Sequence, residues 1–324
     1  MPSFSRNTTG KEVVEAFADS VTGKTFLITG PSVKSIGAET AISLAHESPA
    51  QIILAGRNES KITPVIEQIK TLNPKIKVTF LQIDLADQGS IRKAAAEINA
   101  SVEKLNYLIN CAGVMAVPTL ETTKDGIEMQ FGLNHIGHFL FTNLIIRKII
   151  AAGNGARIIN ITSTGFEHGG VRYEDWNFHE GDDYHMWGAY AQSKTANVLF
   201  SAALAEKLKS KGIQSYSVHP GVILESNLST HVTQEMWTSA FEWANRGNKG
   251  EEQAQVAMEE PKTLQQGCST SLVAALDPSI EESTGGLLQD CAVRPVGKDH
   301  AQGRENIEKL WALSEKLVGQ TFDL

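Results

Sequence analysis

The chain of 324 residues holds only three cysteines, Cys111, Cys268 and Cys291. They are scattered and form no CxxC pair, which leaves out a disulfide framework and a zinc site and fits a reducing compartment. No metal site is expected. Basic charge is scarce as well. Lys and Arg number 29 against 37 Asp and Glu, giving a net charge of −8 with no basic cluster. That argues against a nucleic-acid partner and against a basic helix on a membrane surface. Long apolar runs are absent. The longest, residues 139–152, is interrupted by Thr142, Asn143, Arg147 and Lys148, so no membrane span is expected. The first ten residues are polar without an apolar signal core, and the last five carry no retrieval signal. The expected location is cytoplasmic. Apolar content of 41% and charged content of 20% are ordinary for a soluble globular chain.

What is present alternates between strand and helix patterns. Residues 24–30 read as a buried strand ending in a turn, and 36–46 as a helix. Further strands are expected at 51–55, 76–83, 105–109, 157–161, 212–218 and 286–290. Helices are expected at 60–72, 88–101, 121–152, 189–208, 263–276 and 301–318. A lead-in helix is read at 11–20. This alternation predicts a doubly wound parallel sheet of about seven strands with helices on both faces, in a single Rossmann-type α/β domain over 1–324. Between about 226 and 260 the pattern is mixed, with Trp237, Phe241 and Trp243 and a polar run at 245–252, and reads as an inserted substrate lid.

Such a sheet places ligands outside the carboxyl ends of its strands. Gly30 and Gly37 bracket the turn after the first strand, where close backbone approach and a helix N-terminus suit a phosphate. After the second strand, a dinucleotide fold reads the adenosine ribose. An acidic residue there would repel a 2′-phosphate. This chain has Arg57 instead, with Lys34 in the glycine turn, so NADP(H) is favoured over NAD(H). Asp84, after the third strand, either accepts from the adenine amino group or caps the next helix. Asn110-Cys111-Ala112-Gly113 follows the fourth strand. Its small residues let a ribose lie close, while Asn110 alternatively ties adjacent strands together. His135 and His138 have no acidic or cysteine partner and read as packed or solvated side chains.

Tyr190 and Lys194 lie one helical turn apart on one face. A neighbouring ammonium favours phenolate and lowers a tyrosine's pKa, which suits general acid–base work near neutral pH. Ser163 follows the fifth strand, 27 positions earlier. The segment between holds Trp176, Phe178, Tyr184 and Trp187, which either wall an aromatic pocket or pack their own loop.

Together Thr29-Gly30…Gly37, Asn110-Cys111-Ala112-Gly113, Asn134, Ser163, Tyr190-x-x-x-Lys194 and Pro220-Gly221 resemble the short-chain dehydrogenase/reductase superfamily, within it the retinol-dehydrogenase-like and fungal members. The resemblance covers about residues 24–290. It implies hydride transfer between a nicotinamide and a carbonyl or alcohol carbon. Tyr190 would be the proton donor or acceptor. Lys194 would lower its pKa and hold the nicotinamide ribose. Ser163 would orient the substrate oxygen, and Asn134 would hold a relay water. Cofactor contacts would come from Gly30, Ser32, Lys34, Ser35, Ile36, Gly37, Arg57, Asp84, Leu85, Asn110, Ala112, Gly113, Tyr190, Lys194, Pro220, Gly221, Ile223 and Ser226.

Two departures stand out. The glycine turn is one residue longer than the family's TGxxxGxG, with Ser35 in the middle glycine's place. A Cβ there crowds the pyrophosphate unless the longer loop carries it away. The segment after Pro220-Gly221 also has one extra residue before its hydroxyl. The leading expectation is an NADP(H)-dependent oxidoreductase for a fairly apolar small molecule. The rivals are a non-redox epimerase or dehydratase of the same fold, and a non-catalytic NADP-binding regulator. Relatives pair through the helices at 134–152 and 189–208, so a homodimer or, where insertions intervene, a monomer is expected.

Overall fold

The computed structural model describes residues 3–246 and 259–324. In chain order the elements are α1 (Gly10–Ala16), α2 (Ala18–Val21), β1 (Thr25–Thr29), α3 (Ile36–Leu44), β2 (Gln51–Gly56), α4 (Thr63–Leu72), β3 (Lys77–Gln82), α5 (Gln88–Ser101) and β4 (Tyr107–Asn110). There follow α6 (Met129–Phe131), a π-helical turn (Gly132–Gly137), α7 (His138–Ile150), β5 (Arg157–Ile161), α8 (Met186–Leu208) and β6 (Gln214–His219). The last elements are α9 (Gln234–Asn245), α10 (Leu264–Leu276), β7 (Leu287–Gln289), β8 (Ala292–Arg294) and α11 (Arg304–Val318).

These strands form one eight-stranded sheet in the order β3-β2-β1-β4-β5-β6-β7-β8. The chain works outward from β1 to β3, then returns to the other side of β1 as β4. The crevice at that switch is where such a sheet binds ligands. Central strands β4, β5 and β6 are buried along their whole length, as a parallel sheet covered on both faces requires. On one face Phe131, Phe139, Phe141, Phe200 and Leu204 pack beneath α5, α7, α8 and α11. On the other, Val13, Phe26, Ala41, Leu272 and Leu276 pack among α1, α3 and α10.

Three expectations are corrected. The sheet has an eighth strand, β8, antiparallel to β7. Asp290 and Cys291 make the turn between them with φ of 51° and 64°, a left-handed pair typical of two-residue hairpins. Without Gly or Asn the turn carried no sequence signal. The helical region expected from residue 121 begins at Met129, because Thr122 bridges to Glu128 and the Glu128 carboxylate caps the backbone N–H groups of Gln130 and Phe131. The lead-in helix is two short helices broken at Phe17. Of the mixed stretch at 226–260, residues 234–245 form α9, and 247–258 lie outside the described residues.

His135 and His138 are fully buried, and their protons can be placed. Ser314 donates its hydroxyl to the Leu310 carbonyl, so His135 Nε2 is the donor to Ser314 Oγ at 2.9 Å. The Asn134 carbonyl can only accept, so His138 Nδ1 carries its proton and donates to it at 2.9 Å. His138 Nε2 is then an acceptor, and Thr29 Oγ1 donates to it at 2.9 Å. The Thr29 oxygen in turn accepts the N–H groups of Cys111 and Ala112 at 2.9 and 3.0 Å. One chain of bonds thus links the end of β1, the segment after β4 and the π-turn.

Burial pushes His138 down to about 4 and His135 to about 3, the nearby Lys194 ammonium adding to the effect on His138. An unfolded histidine takes its proton near ~6.5. The unfolded chain therefore binds more protons at mildly acid pH. The stability these residues contribute is whole above about 6.5 and is lost as pH falls through the two native values. Glu128 opposes them, because burial raises it to about 7, but it is one group against two. Unfolding free energy measured in urea should fall between pH ~6.5 and ~4, by about 1.4 kcal/mol per unit for each uncompensated imidazole. His138→Gln keeps a donor and an acceptor without the charge and should flatten that slope. An unchanged slope would mean His138 already titrates normally in the native chain.

Candidate active site

Each expected site segment leaves the carboxyl end of a parallel strand. Ser163 follows β5, the glycine turn follows β1, Ala112 and Gly113 follow β4, and Pro220-Gly221 follows β6. Tyr190 and Lys194 lie in the first half of α8, which is buried on nearly all sides.

The Ser163 hydroxyl accepts from Gly165 N at 3.2 Å and lies close enough to the Tyr190 phenol to favour its ionised form. Thr162 instead turns inward and donates to the Lys194 main-chain carbonyl at 2.8 Å, pinning α8 to the end of β5. Gly165 makes room for the ring, since a Cβ there would sit 3.1 Å from Tyr190 Cδ1. The Lys194 ammonium donates to the Ile161 carbonyl at 3.2 Å and lies 5.5 Å from the Tyr190 ring centroid. Burial governs both groups. It raises Tyr190 to about 12, against a smaller lowering by the Ser163 hydroxyl, and lowers Lys194 to about 8. The expected lowering of the phenol by the ammonium is thus reversed by burial. Two charges withdrawn from water each favour their neutral forms more strongly than they help one another.

Asn134 sits in the π-turn with both amide hydrogens engaged and one bond made to its Oδ1. Oδ1 accepts from Val114 N at 2.8 Å, and Nδ2 donates to Val114 O and Ser193 Oγ at 2.9 and 3.0 Å. A Cβ on Gly113 would lie 3.3 Å from Asn134 Oδ1 and 3.7 Å from Lys194 Nζ. Gly113 therefore leaves an open cradle between these polar groups.

The glycine turn resolves the question of Ser35. Ser35 is extended, with φ of −122°, and caps α3 by accepting from Ala38 N at 3.0 Å while donating to the Gly30 carbonyl at 2.9 Å. The extra residue is absorbed by Lys34, which adopts φ of 58°. Gly30 itself lies against Ala112, where a Cβ would come within 2.7 Å of Ala112 Cα. Arg57 and Lys34 are exposed, and neither has an ion pair among the described residues. A glycine cradle, a capped helix N-terminus and two free cations fit a dinucleotide phosphate.

The remaining candidates divide. Asn110 spends both amide hydrogens on Thr142 Oγ1 and Asn160 Oδ1, so its side chain ties β4 to β5 and α7. Asp84 does not cap α5; Asp87 does, and Asp84 instead accepts from Ala86 N. Leu85 is buried, its carbonyl closely approached by Gly137. Ser32 is half-buried beside the turn. Ile36 and Ile223 both rest against Gly267, which joins the first turn of α3 to the segment after Pro220. Gly221 has φ of 91° and lies against the Lys262 chain, where a Cβ would be 2.8 Å from its Cδ. Ser226 turns its hydroxyl to Leu228 N within its own loop.

Of the four aromatic residues upstream of Tyr190, only Trp187 flanks it, at 6.3 Å and edge-on. Trp187 also stacks on Trp237 of α9 at 5.7 Å, with Met115, Leu228, Val232 and Met236 around them. Phe178 and Tyr184 pack each other, and Trp176 joins the core beneath α8 and α11. Sequence reasoning gave no bonding role to the Thr29 hydroxyl, to the His138 ring it read as packed or solvated, or to His219. His219 accepts from Thr164 N and pairs with Glu259. Thr29 and His219 could have been sought as polar residues ending buried strands. Asp175, His179 and Asp183 form the candidate metal cluster found among the described residues, but the Arg172 guanidinium binds both carboxylates.

Residues 24–237 match the family model described as short chain dehydrogenase. Mouse retinol dehydrogenase 11 is 35% identical over 306 residues, covering 93% of this chain and 88% of that protein. The chloroplastic short-chain dehydrogenase TIC 32 A of Brassica napus is also 35% identical, over 91% of this chain and 88% of its own length. Among solved structures, an uncharacterised protein from Mycobacterium paratuberculosis superposes with a TM-score of 0.68 at 27% identity, over 95% of this chain and 98% of that one. An NADPH-bound carbonyl reductase from chicken fatty liver shares the fold, with a TM-score of 0.58 at 19% identity over 83% and 96%. The chain belongs to the short-chain dehydrogenase family, on an eight-stranded Rossmann-like sheet.

Proposed function

We propose that the protein is an NADP(H)-dependent oxidoreductase that interconverts an apolar carbonyl compound and its alcohol. The observation that carries this reading is the meeting of the Tyr190 phenol, the Ser163 hydroxyl and the Lys194 ammonium beside the Gly113 cradle. A bound nicotinamide supplies or takes the hydride. Ser163 orients the substrate oxygen, and Tyr190 gives or takes the proton at that oxygen. Lys194 holds the ribose and favours phenolate, and Asn134 holds the relay water. Gly30, Ser35, Ile36 and Gly37 cradle the pyrophosphate, and Arg57 with Lys34 receives the 2′-phosphate. Asp84 and Leu85 border the adenine, and Pro220 to Ile223 border the nicotinamide.

The apolar lining of Met115, Trp187, Met236 and Trp237 excludes water from the reacting carbon. It supports a substrate without charge near that carbon. Relatives named retinol dehydrogenase make an extended apolar aldehyde–alcohol pair the first to assay. In the stretch at 226–260, α9 and the loop before it act as its lid, within a single domain over 1–324. The regulator reading rested on the altered glycine turn, and Ser35 serves there as a regular helix cap. The faces of α7 and α8 that pair in relatives carry α11 and the C-terminal tail. Trp311 and Phe322 lie 5.0 and 5.7 Å from Phe139, which supports a monomer. Three free thiols and the lack of a helix able to cross a membrane among the described residues support a cytoplasmic place.

Tyr190→Phe should lower kcat by about 10²–10⁴-fold while NADPH binding, followed by nicotinamide fluorescence, stays within about twofold. Retained turnover would remove Tyr190 from the mechanism. Arg57→Ala should weaken NADPH about 10- to 100-fold, the size of a charge-assisted contact, and leave NADH nearly unchanged. Equal losses for the two coenzymes would refute the specificity assignment.

A further inference from the structure

The two loops that depart from the family pattern meet. Asn227 donates its backbone N–H to the Lys34 carbonyl at 3.0 Å and its side-chain Nδ2 to the Val33 carbonyl at 2.7 Å. Lys34 is the left-handed residue that absorbs the extra length of the glycine turn. Asn227 lies in the segment after Gly221 that is itself one residue longer. Each insertion thus supplies one half of the contact.

The contact spans the crevice. The glycine turn follows β1 and the Asn227 loop follows β6, with β4 and β5 between them in the sheet. Three strand spacings are about 14 Å, and no single side chain bridges that. Both loops are built out toward each other and held at their bases. Val33 N donates to the Lys61 carbonyl at 3.2 Å, and Ser35 Oγ ties back to Gly30 O. On the other side, Lys262 N donates to Val222 O at 2.8 Å, and Leu264 N donates to Glu225 Oε1 at 2.6 Å. The bases are fixed, and Asn227 itself is exposed. The strap lies at the capped start of α3, one residue before Ser35.

We infer that Asn227 latches the mouth of the coenzyme crevice, so that a dinucleotide enters and leaves only when its two bonds to Val33 and Lys34 open. This rests on the coenzyme reading above. Both bonds of the latch are made between protein atoms and use no coenzyme atom, so it opposes entry as well as exit. It is a kinetic gate rather than a source of affinity. Two exposed hydrogen bonds are cheap to exchange for water, so the gate slows exchange without blocking it.

Stopped-flow nicotinamide fluorescence, with NADPH as probe and excess NADP⁺ as chase, tests this. Asn227→Ala and the isosteric Asn227→Asp both remove the side-chain donor. Each should raise the association and dissociation rates together, by about 3- to 10-fold for one lost hydrogen bond. The Kd should stay within about twofold and Tm unchanged. Unchanged rates would overturn the latch. So would a rise in dissociation alone, which marks an ordinary contact. If the unaltered protein binds neither NADPH nor NADH, the functional reading itself fails, an outcome distinct from both.

Discussion

The site depends on the burial of α8. Lys194 is carried on a helix with almost no solvent face, so its ammonium is taken out of water along with the Tyr190 phenol beside it. A buried charge needs compensation. Here the Ile161 carbonyl offers one bond, and Thr162 fixes the backbone of the same turn. The low-dielectric setting holds the Tyr190 phenol neutral and brings the Lys194 ammonium down to about 8. It also makes any added dipole or charge more effective than it would be in water. Ser163 and Gly165 complete the arrangement, one as a hydroxyl beside the phenol and one as space.

A second constraint is the bond chain from Thr29 through His138 to the Asn134 carbonyl. The π-turn sets this carbonyl toward His138, four residues on. Because Thr29 also receives the N–H groups of Cys111 and Ala112, the cradle after β4 and the π-turn are positioned by one network. Every proton in it can be assigned, and such fully satisfied buried networks specify one arrangement. The neutral state of His138 is part of that arrangement.

The departures from the family pattern are local. Ser35 turns a missing glycine into a helix cap, Lys34 takes the left-handed conformation, and Asn227 reaches from the second lengthened loop to the first. Charge follows the same logic. Arg57 and Lys34 stay exposed without ion partners among the described residues, and the carboxylates of Asp175 and Asp183 are already paired with Arg172.

Alternation of buried runs and amphipathic stretches by itself determined the parallel sheet, seven strands to within two residues, and the helices α3, α5, α8 and α10. The spacing of Tyr190 and Lys194 put them on one helix face, because local geometry is set by helical period. Tertiary structure decided the rest. A hairpin without glycine, a π-turn and a helix start delayed to Met129 depend on contacts distant in sequence, such as Thr270 on Cys291 and Asn177 on Glu128. The choice between a coenzyme contact and a strand tie at Asn110, and between cap and ligand at Asp84, turned on which partners the sheet brought near. The direction of the Tyr190 shift turned on burial. A residue's neighbours in space fix its solvation, and solvation outweighs the nearest charge when both are withdrawn from water.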